Sequence, residues 1–384
     1  MVRIAAAASV ASTACRRQCT KLLLASPSSA LSSYPIIVAS SSSSSVVVVA
    51  PSTSVASKYK YRRQQQVPTQ QQQQSNYYST FQPPENNKYH GTPVYNNIDI
   101  HSSSKVSTAA TARNTDPEAV FVVSGASRSM GLQFVKELFS RTKGRIVACV
   151  MRPGSAPALD SFLNGLTSPE ERSRIAVHRL DVTNIQHIEQ LATDIGESYG
   201  RVDGLYNVAG VLGDKETTPG PEMNLSQLDA TWASDQMAVN AIGPMMLTAK
   251  LSGLMKARKG RNNYLRSTGA QESIVVNLSA RVASMDDNQG GLAWYTYRMS
   301  KAALNAGVRA SSHELRRQGT WTVALYPGMT DTAMSVPFQT EAMRAKGLVF
   351  PVEFTVGRLM DVVDRMEEEH SGGFYDWAGQ AIPF

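Results

Sequence analysis

Tyr297 and Lys301 stand four residues apart in the run Trp294-Tyr295-Thr296-Tyr297-Arg298-Met299-Ser300-Lys301-Ala302-Ala303-Leu304, which follows a glycine-rich stretch and reads as the start of a helix. Helical spacing of four places both side chains on one face. A phenol ordinarily holds its proton to about pH 10. An ammonium about 4 Å away, at an effective dielectric near 20, is worth about 4 kcal/mol and would lower that value by up to about three units. A tyrosine tuned in this way exchanges a proton with a carbonyl or alcohol oxygen at neutral pH. The spacing alone is a weak signal, better explained by an ordinary amphipathic helix with a packed tyrosine and an exposed lysine.

What surrounds the pair gives it meaning. A phosphate-loop candidate, Ser124-Gly125-Ala126-Ser127-Arg128-Ser129-Met130-Gly131, comes first. Leu180-Asp181-Val182, Asn207-Val208-Ala209-Gly210, Asn240 and Val275-Val276-Asn277-Leu278-Ser279 follow, and Tyr326-Pro327-Gly328 comes after the pair. In these residue types and this order, residues 118–384 resemble the short-chain dehydrogenase/reductase superfamily. Asp287-Asn288-Gln289-Gly290-Gly291, Ser300-Lys301-Ala302-Ala303-Leu304-Asn305 and Phe374-Tyr375-Asp376-Trp377 are most similar to its C-factor-like and sniffer-like carbonyl reductases.

The resemblance implies roles. Tyr297 would donate the proton, Lys301 would tune it and bond a nicotinamide ribose, and Asn240 would hold a relay water. The family stretch Asn-x-Ser-Ser is here Asn277-Leu278-Ser279-Ala280, so Ser279 is the candidate for the serine that bonds the substrate oxygen, with Ser284 in reserve. Asp181 would bond the adenine amine and Val182 pack beside its ring. Asn207, Ala209 and Gly210 would support the sheet and the cofactor, Pro327 and Gly328 would border it, and Thr332, or Thr330 in its place, would meet the carboxamide.

A strand that feeds a glycine loop and then a helix can hold a pyrophosphate on backbone amides. Gly125 would supply the tight turn and Gly131 the close helix-to-sheet contact, with Ser127, Arg128, Ser129 and Met130 between them. The family pattern Thr-Gly-x-x-x-Gly-x-Gly is broken twice, by Ser124 for threonine and by Ser129 for the middle glycine. NAD-selective sites end the second strand with an acid, whereas a 2′-phosphate calls for arginine. This chain has Cys149-Val150-Met151-Arg152-Pro153, so Arg152, with Arg128 nearby, points to NADP(H). The function implied is an NADP(H)-dependent oxidoreductase acting on a small-molecule carbonyl or alcohol substrate. Its pocket would be lined from Leu212–Thr231 and Met334–Leu348, with Met334, Val336 and Phe338 as apolar walls. Ser129 and Ala280 leave open an alternative, an NADP(H)-binding regulator or scaffold with little or no catalysis.

Elements able to position these residues are legible as short apolar runs alternating with amphipathic segments, the pattern of a parallel sheet covered by helices. Seven strands are expected, at Ala119–Val123, Ile146–Val150, Ile175–Leu180, Leu205–Val208, Ile274–Leu278, Thr322–Tyr326 and Gly373–Tyr375. Helices are expected at Met130–Ser140, Ile185–Tyr199, Asp235–Lys256, Tyr297–Arg317 and Thr355–Glu369. Together they make a single doubly wound, Rossmann-type α/β domain with a seven-stranded parallel sheet. The two longest helices carry apolar surface beyond one sheet face, and the resemblance implies a homo-oligomer, dimer or tetramer, built on them.

Composition divides the chain near residue 114. Residues 1–114 hold runs of Ser and Gln and little periodicity, as in a disordered leader. They carry eleven Lys and Arg against Glu85 and Asp99, a net +9, so the +7 of the whole chain leaves residues 115–384 at −2. The basic balance therefore belongs to the leader and indicates no nucleic-acid partner. With Arg3, Arg16, Arg17 and Lys21 among Ala and Ser, the leader reads as an organelle transit peptide, mitochondrial before plastid, with a cytoplasmic protein as the alternative. Val46–Val49 is far too short for a membrane span. Cys15, Cys19 and Cys149 make no disulfide framework, and the six histidines show no metal-ligand spacing, so no metal is expected.

Overall fold

The computed structural model describes residues 94–101, 104–213, 216, 218–255 and 272–384, which belong to one compact unit. Most of the leader, its targeting segment included, lies outside the described residues.

All seven expected strands form, each within about two residues of its sequence bounds. They are β1 (Val120–Ser124), β2 (Arg145–Val150), β3 (Ile175–Arg179), β4 (Gly204–Asn207), β5 (Ser273–Leu278), β6 (Thr320–Tyr326) and β7 (Phe374–Asp376). Every neighbouring pair is parallel and the order is β3-β2-β1-β4-β5-β6-β7. The chain runs outward from β1 to β3 and then returns to lay β4 against the other side of β1. In such a sheet the ligand crevice opens beyond the carboxyl ends at this switch point.

Both faces of the sheet are covered, which is why its strands read as unbroken apolar runs. Phe121 and Val123 of β1 pack with Phe134 and Leu138 of α2 (Ser129–Arg141) and Leu359 of the helix Val352–Asp364. Val120 and Val122 face the other way, toward Ile188 and Leu191 of the helix Ile185–Ser198 and Leu247 and Leu251 of Gly243–Leu251.

Two departures from the sequence reading matter for the site. The expected helix Asp235–Lys256 starts earlier, at Ala230, because Asp229 caps it by accepting the Trp232 N–H at 2.7 Å. It is then broken by a π-helical turn over Ala238–Ile242 that holds Asn240, and resumes at Gly243–Leu251 with Pro244 in its first turn. Its expected end, Lys256, lies outside the described residues.

The compositional boundary at 114/115 falls inside a helix, α1 (Thr108–Thr115), capped by the Ser107 hydroxyl. Arg113 of α1 is buried and donates to the Glu272 carbonyl at 3.2 Å. Upstream, Ile98 and Ile100 are in the main core, the Ile98 N–H donates to the Gly379 carbonyl at 2.8 Å, and Asn97 Oδ1 accepts from the Ala381 N–H at 2.8 Å. Residues 94–101 and 104–114 are thus part of the folded body. One Ile-x-Ile alternation is too short to stand out from a Ser- and Gln-rich background. Among the described residues no helix is long and apolar enough to cross a membrane.

Candidate active site

Tyr297 and Lys301 lie in the first two turns of α8, the long helix Tyr295–Leu315 (α3 to α7 being Pro157–Asn164, Pro169–Ser173, Ile185–Ser198, Ala230–Met237 and Gly243–Leu251). Their side chains share one face and line one cavity. Ser279, at the carboxyl end of β5, lines the same cavity, together with Met130, Gly210, Pro327, Gly328, Thr330 and Thr332. Ser284 does not line it. Its Oγ accepts the Asp287 N–H at 3.0 Å, so of the two candidate serines Ser279 is the one that faces the cavity.

The electrostatics of the pair differ from the sequence expectation. Lys301 Nζ donates to the Leu278 carbonyl at 2.8 Å and sits 6.0 Å from the centroid of the Tyr297 ring. Burial lowers the ammonium from its ordinary value to about 8. The Tyr297 phenol is pushed above its ordinary value by burial and, secondarily, by Tyr326, whose own phenol burial raises to about 12. Four-residue spacing fixes a shared face; it does not fix the distance between two flexible tips, and burial is the larger influence on the phenol here. Tyr297 is therefore a protonated acid at neutral pH.

Each remaining candidate is placed by an identifiable contact. The Ser279 hydroxyl donates to Asn305 Oδ1 at 2.6 Å, and Asn305 Nδ2 has no partner. The Asn240 amide is taken up by protein: Oδ1 accepts the Val211 N–H at 2.8 Å, while Nδ2 donates to the Val211 carbonyl at 2.8 Å and to Ser300 Oγ at 3.1 Å. The Asn240 side chain thus ties the segment after β4 to α8. Asn207 likewise turns inward, donating to Asn277 Oδ1 at 2.9 Å across β4 and β5. The Thr330 hydroxyl approaches Thr355 at 3.1 Å, whereas Thr332 is half-buried at the cavity with its hydroxyl 3.3 Å from Ser335.

The loop after β1 is shaped by close backbone approach. A Cβ on Gly131 would fall 2.1 Å from the Gly125 carbonyl oxygen, and one on Gly125, whose φ is +70°, would fall 3.0 Å from Ala209 Cα. Ser129, where the family pattern has its middle glycine, sits in the left-handed region at φ 52°. That conformation costs a residue with a Cβ on the order of 1–3 kcal/mol, which gives the physical reason for glycine there. The N-cap of α2, Arg128, makes no side-chain cap. Arg128 and Arg152 are exposed, and neither pairs with an acid among the described residues. At the end of β3, Asp181 accepts from the Thr183 N–H at 2.9 Å and the Thr183 hydroxyl at 2.7 Å, which hold its carboxyl below the ordinary value. Val182 is buried with its carbonyl against Gly243.

Sequence reasoning did not single out Trp294, Arg281 or Tyr326 as site residues, although all three line the cavity. Trp294 stands in the left-handed region at φ 46° and packs edge-on against Tyr297 and Phe338, at 6.1 Å and 5.0 Å between centroids. Its place three residues before Tyr297 was the available signal. Met334 and Phe338 line the cavity as expected, and Val336 is exposed outside it. Among the described residues, no three His, Cys, Asp or Glu side chains gather as a metal site.

The C-signal protein of Myxococcus xanthus is 36% identical over 186 residues, 48% of this chain and 94% of its own. An uncharacterised oxidoreductase of Schizosaccharomyces pombe is 25% identical over 277 residues, 69% of this chain and 98% of its own. Two solved structures share the fold at a TM-score of 0.58, each covered to 99% by 70% of this chain: the NADPH-bound carbonyl reductase from chicken fatty liver, 23% identical, and the carbonyl reductase Sniffer of D. melanogaster, 22% identical. The sequence model of the short chain dehydrogenase family matches residues 119–342, from the residue before β1 to the segment beyond Phe338, and so takes in every strand but β7 and every candidate site residue. The chain belongs to the short-chain dehydrogenase family of oxidoreductases.

Proposed function

We propose that this protein is an NADP(H)-dependent carbonyl reductase in which Tyr297 is the proton donor. The observation that carries the reading is the meeting of the Tyr297 ring, Lys301 and Ser279 at one cavity, on the same sheet edge as the Gly125–Gly131 loop. The fit to an anionic dinucleotide rests on that loop: a contact at Gly131 too close for any Cβ, a left-handed Gly125, a helix start without a side-chain cap, and two arginines without an acidic partner among the described residues. The cofactor, when bound, would supply or accept the hydride.

Arg152 and Arg128 favour the form with a 2′-phosphate, and the NADPH-bound chicken enzyme supports that choice. The proton that Tyr297 keeps at neutral pH passes to the substrate oxygen as the carbonyl is reduced. Lys301, protonated below about pH 8, supplies positive charge on the face that the ionised phenol then presents. Ser279 bonds the substrate oxygen once its hydroxyl turns from Asn305. Asn240 holds the segment from Gly210 to Val211 against α8, where a Cβ on Gly210 would lie 3.5 Å from Lys301 Nζ.

A second reading, an NADP(H) binder with weak or no turnover, draws on the strained Ser129 and on Ala280 beside Ser279. A screen of carbonyl compounds for NADPH oxidation, repeated with Tyr297→Phe, separates the two. The phenylalanine variant should bind NADPH normally and turn over about a hundredfold or more slowly, while Tyr295→Phe stays active. Full activity in Tyr297→Phe would place the proton donor elsewhere.

A further inference from the structure

Glu222 is a buried carboxylate, 2% exposed, on the segment between β4 and α6, and among the described residues it has no basic partner. An unpaired buried charge is costly unless other groups solvate it. Here the solvating groups are the start of α8. One carboxylate oxygen accepts the Thr296 N–H at 3.3 Å and the other accepts the Thr296 hydroxyl at 2.5 Å. That hydroxyl in turn accepts from Gln236 Nε2 of α6 at 2.8 Å. The Glu222 backbone carbonyl accepts the Trp294 N–H at 2.8 Å.

The N-cap of α8, Trp294, offers no side-chain cap of its own, so Glu222 provides from another segment the acceptor that helix starts require. A negative charge also matches the positive end of the helix dipole.

Both residues that Glu222 grips bear on Tyr297. Thr296 is its neighbour in the first turn, and Trp294 packs edge-on against its ring while lining the cavity. The same segment contributes Leu212 to the cavity wall. We infer that Glu222 is a positioning residue, a cap supplied from the β4–α6 segment that fixes the first turn of α8 and so the direction of the Tyr297 hydroxyl. The inference rests on the reading of Tyr297 as the proton donor.

Glu222→Gln keeps the volume but cannot accept from both Thr296 groups, because one of its two ends is a donor. It should lower kcat about tenfold to a hundredfold, the scale of a misplaced catalytic group, while the dissociation constant for NADPH, read by cofactor fluorescence, stays unchanged. Glu222→Asp, which keeps the carboxylate, should recover part of the loss.

Thr296→Val removes only the hydroxyl and should lower kcat by about half the logarithm of the Glu222→Gln effect. In its background Glu222→Gln should cost less than it does alone, since coupled residues are not additive. If Glu222→Gln fails to fold, Thr296→Val alone carries the test through the same split between kcat and cofactor binding.

Unchanged kcat in either variant, or fully additive losses in the pair, would overturn the inference. Full activity in Tyr297→Phe would instead overturn the reading beneath it, whatever Glu222 does.

Discussion

Lys301 offers a quantitative test, because its burial sets activity against stability. An unfolded lysine keeps its proton up to about 10.5, and the folded one only to about 8. Between these values the unfolded state binds more protons, so stability rises with pH over that window and is lowest below pH 8. At about 1.4 kcal/mol per unit, the folded protein forgoes about 3 kcal/mol at pH 7. Lys301→Met keeps the length of the side chain and removes the charge. It also removes the hydrogen bond to the Leu278 carbonyl, worth about 1 kcal/mol. The net expectation at pH 7 is a gain of about 2 kcal/mol, or roughly 4–8 °C in Tm for a body of this size. Thermal melts of both proteins without cofactor, from pH 7 to 10.5, read the effect. The difference should shrink above pH 8 and reverse slightly near 10.5, where both side chains are neutral and only the lost hydrogen bond remains. Turnover should fall throughout. A destabilised Lys301→Met at pH 7, or a difference that does not change with pH, would refute the argument that burial of the ammonium is costly here.

Three further outcomes follow from contacts already described. NADPH should be preferred over NADH by about tenfold to a hundredfold, the worth of a charge-assisted bond to phosphate, and Arg152→Asp should shift that preference toward NADH in cofactor titrations. A chain shortened to begin near Val94 should fold as full length does. One beginning at Asp116 loses Ile98, Ile100 and α1, about 3 kcal/mol or more from the two isoleucines alone, and circular dichroism melts should show it markedly less stable. Ser279→Ala should lower turnover while Ser284→Ala leaves it largely intact, and kinetics with one substrate would decide between them; the reverse pattern would move the role along the chain.

The sheet was legible because strands buried on both faces leave unbroken apolar runs such as Val120–Val123 and Ile274–Val276, whatever their partners. The candidate site was legible as a set of positions in two ways: Gly125, Asp181 and Ser279 follow strand ends that are read from the runs, and Tyr297 and Lys301 share a helical spacing of four. What sits between those positions was not legible. Nothing local says that Lys301 bonds Leu278, that Asn240 spends its amide on Val211 and Ser300, or that Glu222 caps α8, because each partner is brought by tertiary packing from a distant segment. The helix Ala230–Leu251 was half read for a related reason. Its apolar period continues through Asn240, and the π turn there is set by contacts rather than by residue preference.

That π turn has a consequence for how the helix can change. It holds one residue more than an α-helical turn would, so the segments before and after it are out of phase by about 100° relative to a continuous helix. Before the turn, Trp232 and Gln236 are buried toward the β4–α6 segment and α8; after it, Leu247 and Leu251 are buried under the sheet. Deleting one residue within Ala238–Ile242 would restore regular hydrogen bonding and make a better helix. It would also rotate one of these faces out of the core and turn Asn240 away from Val211. The irregularity works as a phase correction that lets one helix serve two packing surfaces, and it holds the site and the regularity of the helix in opposition.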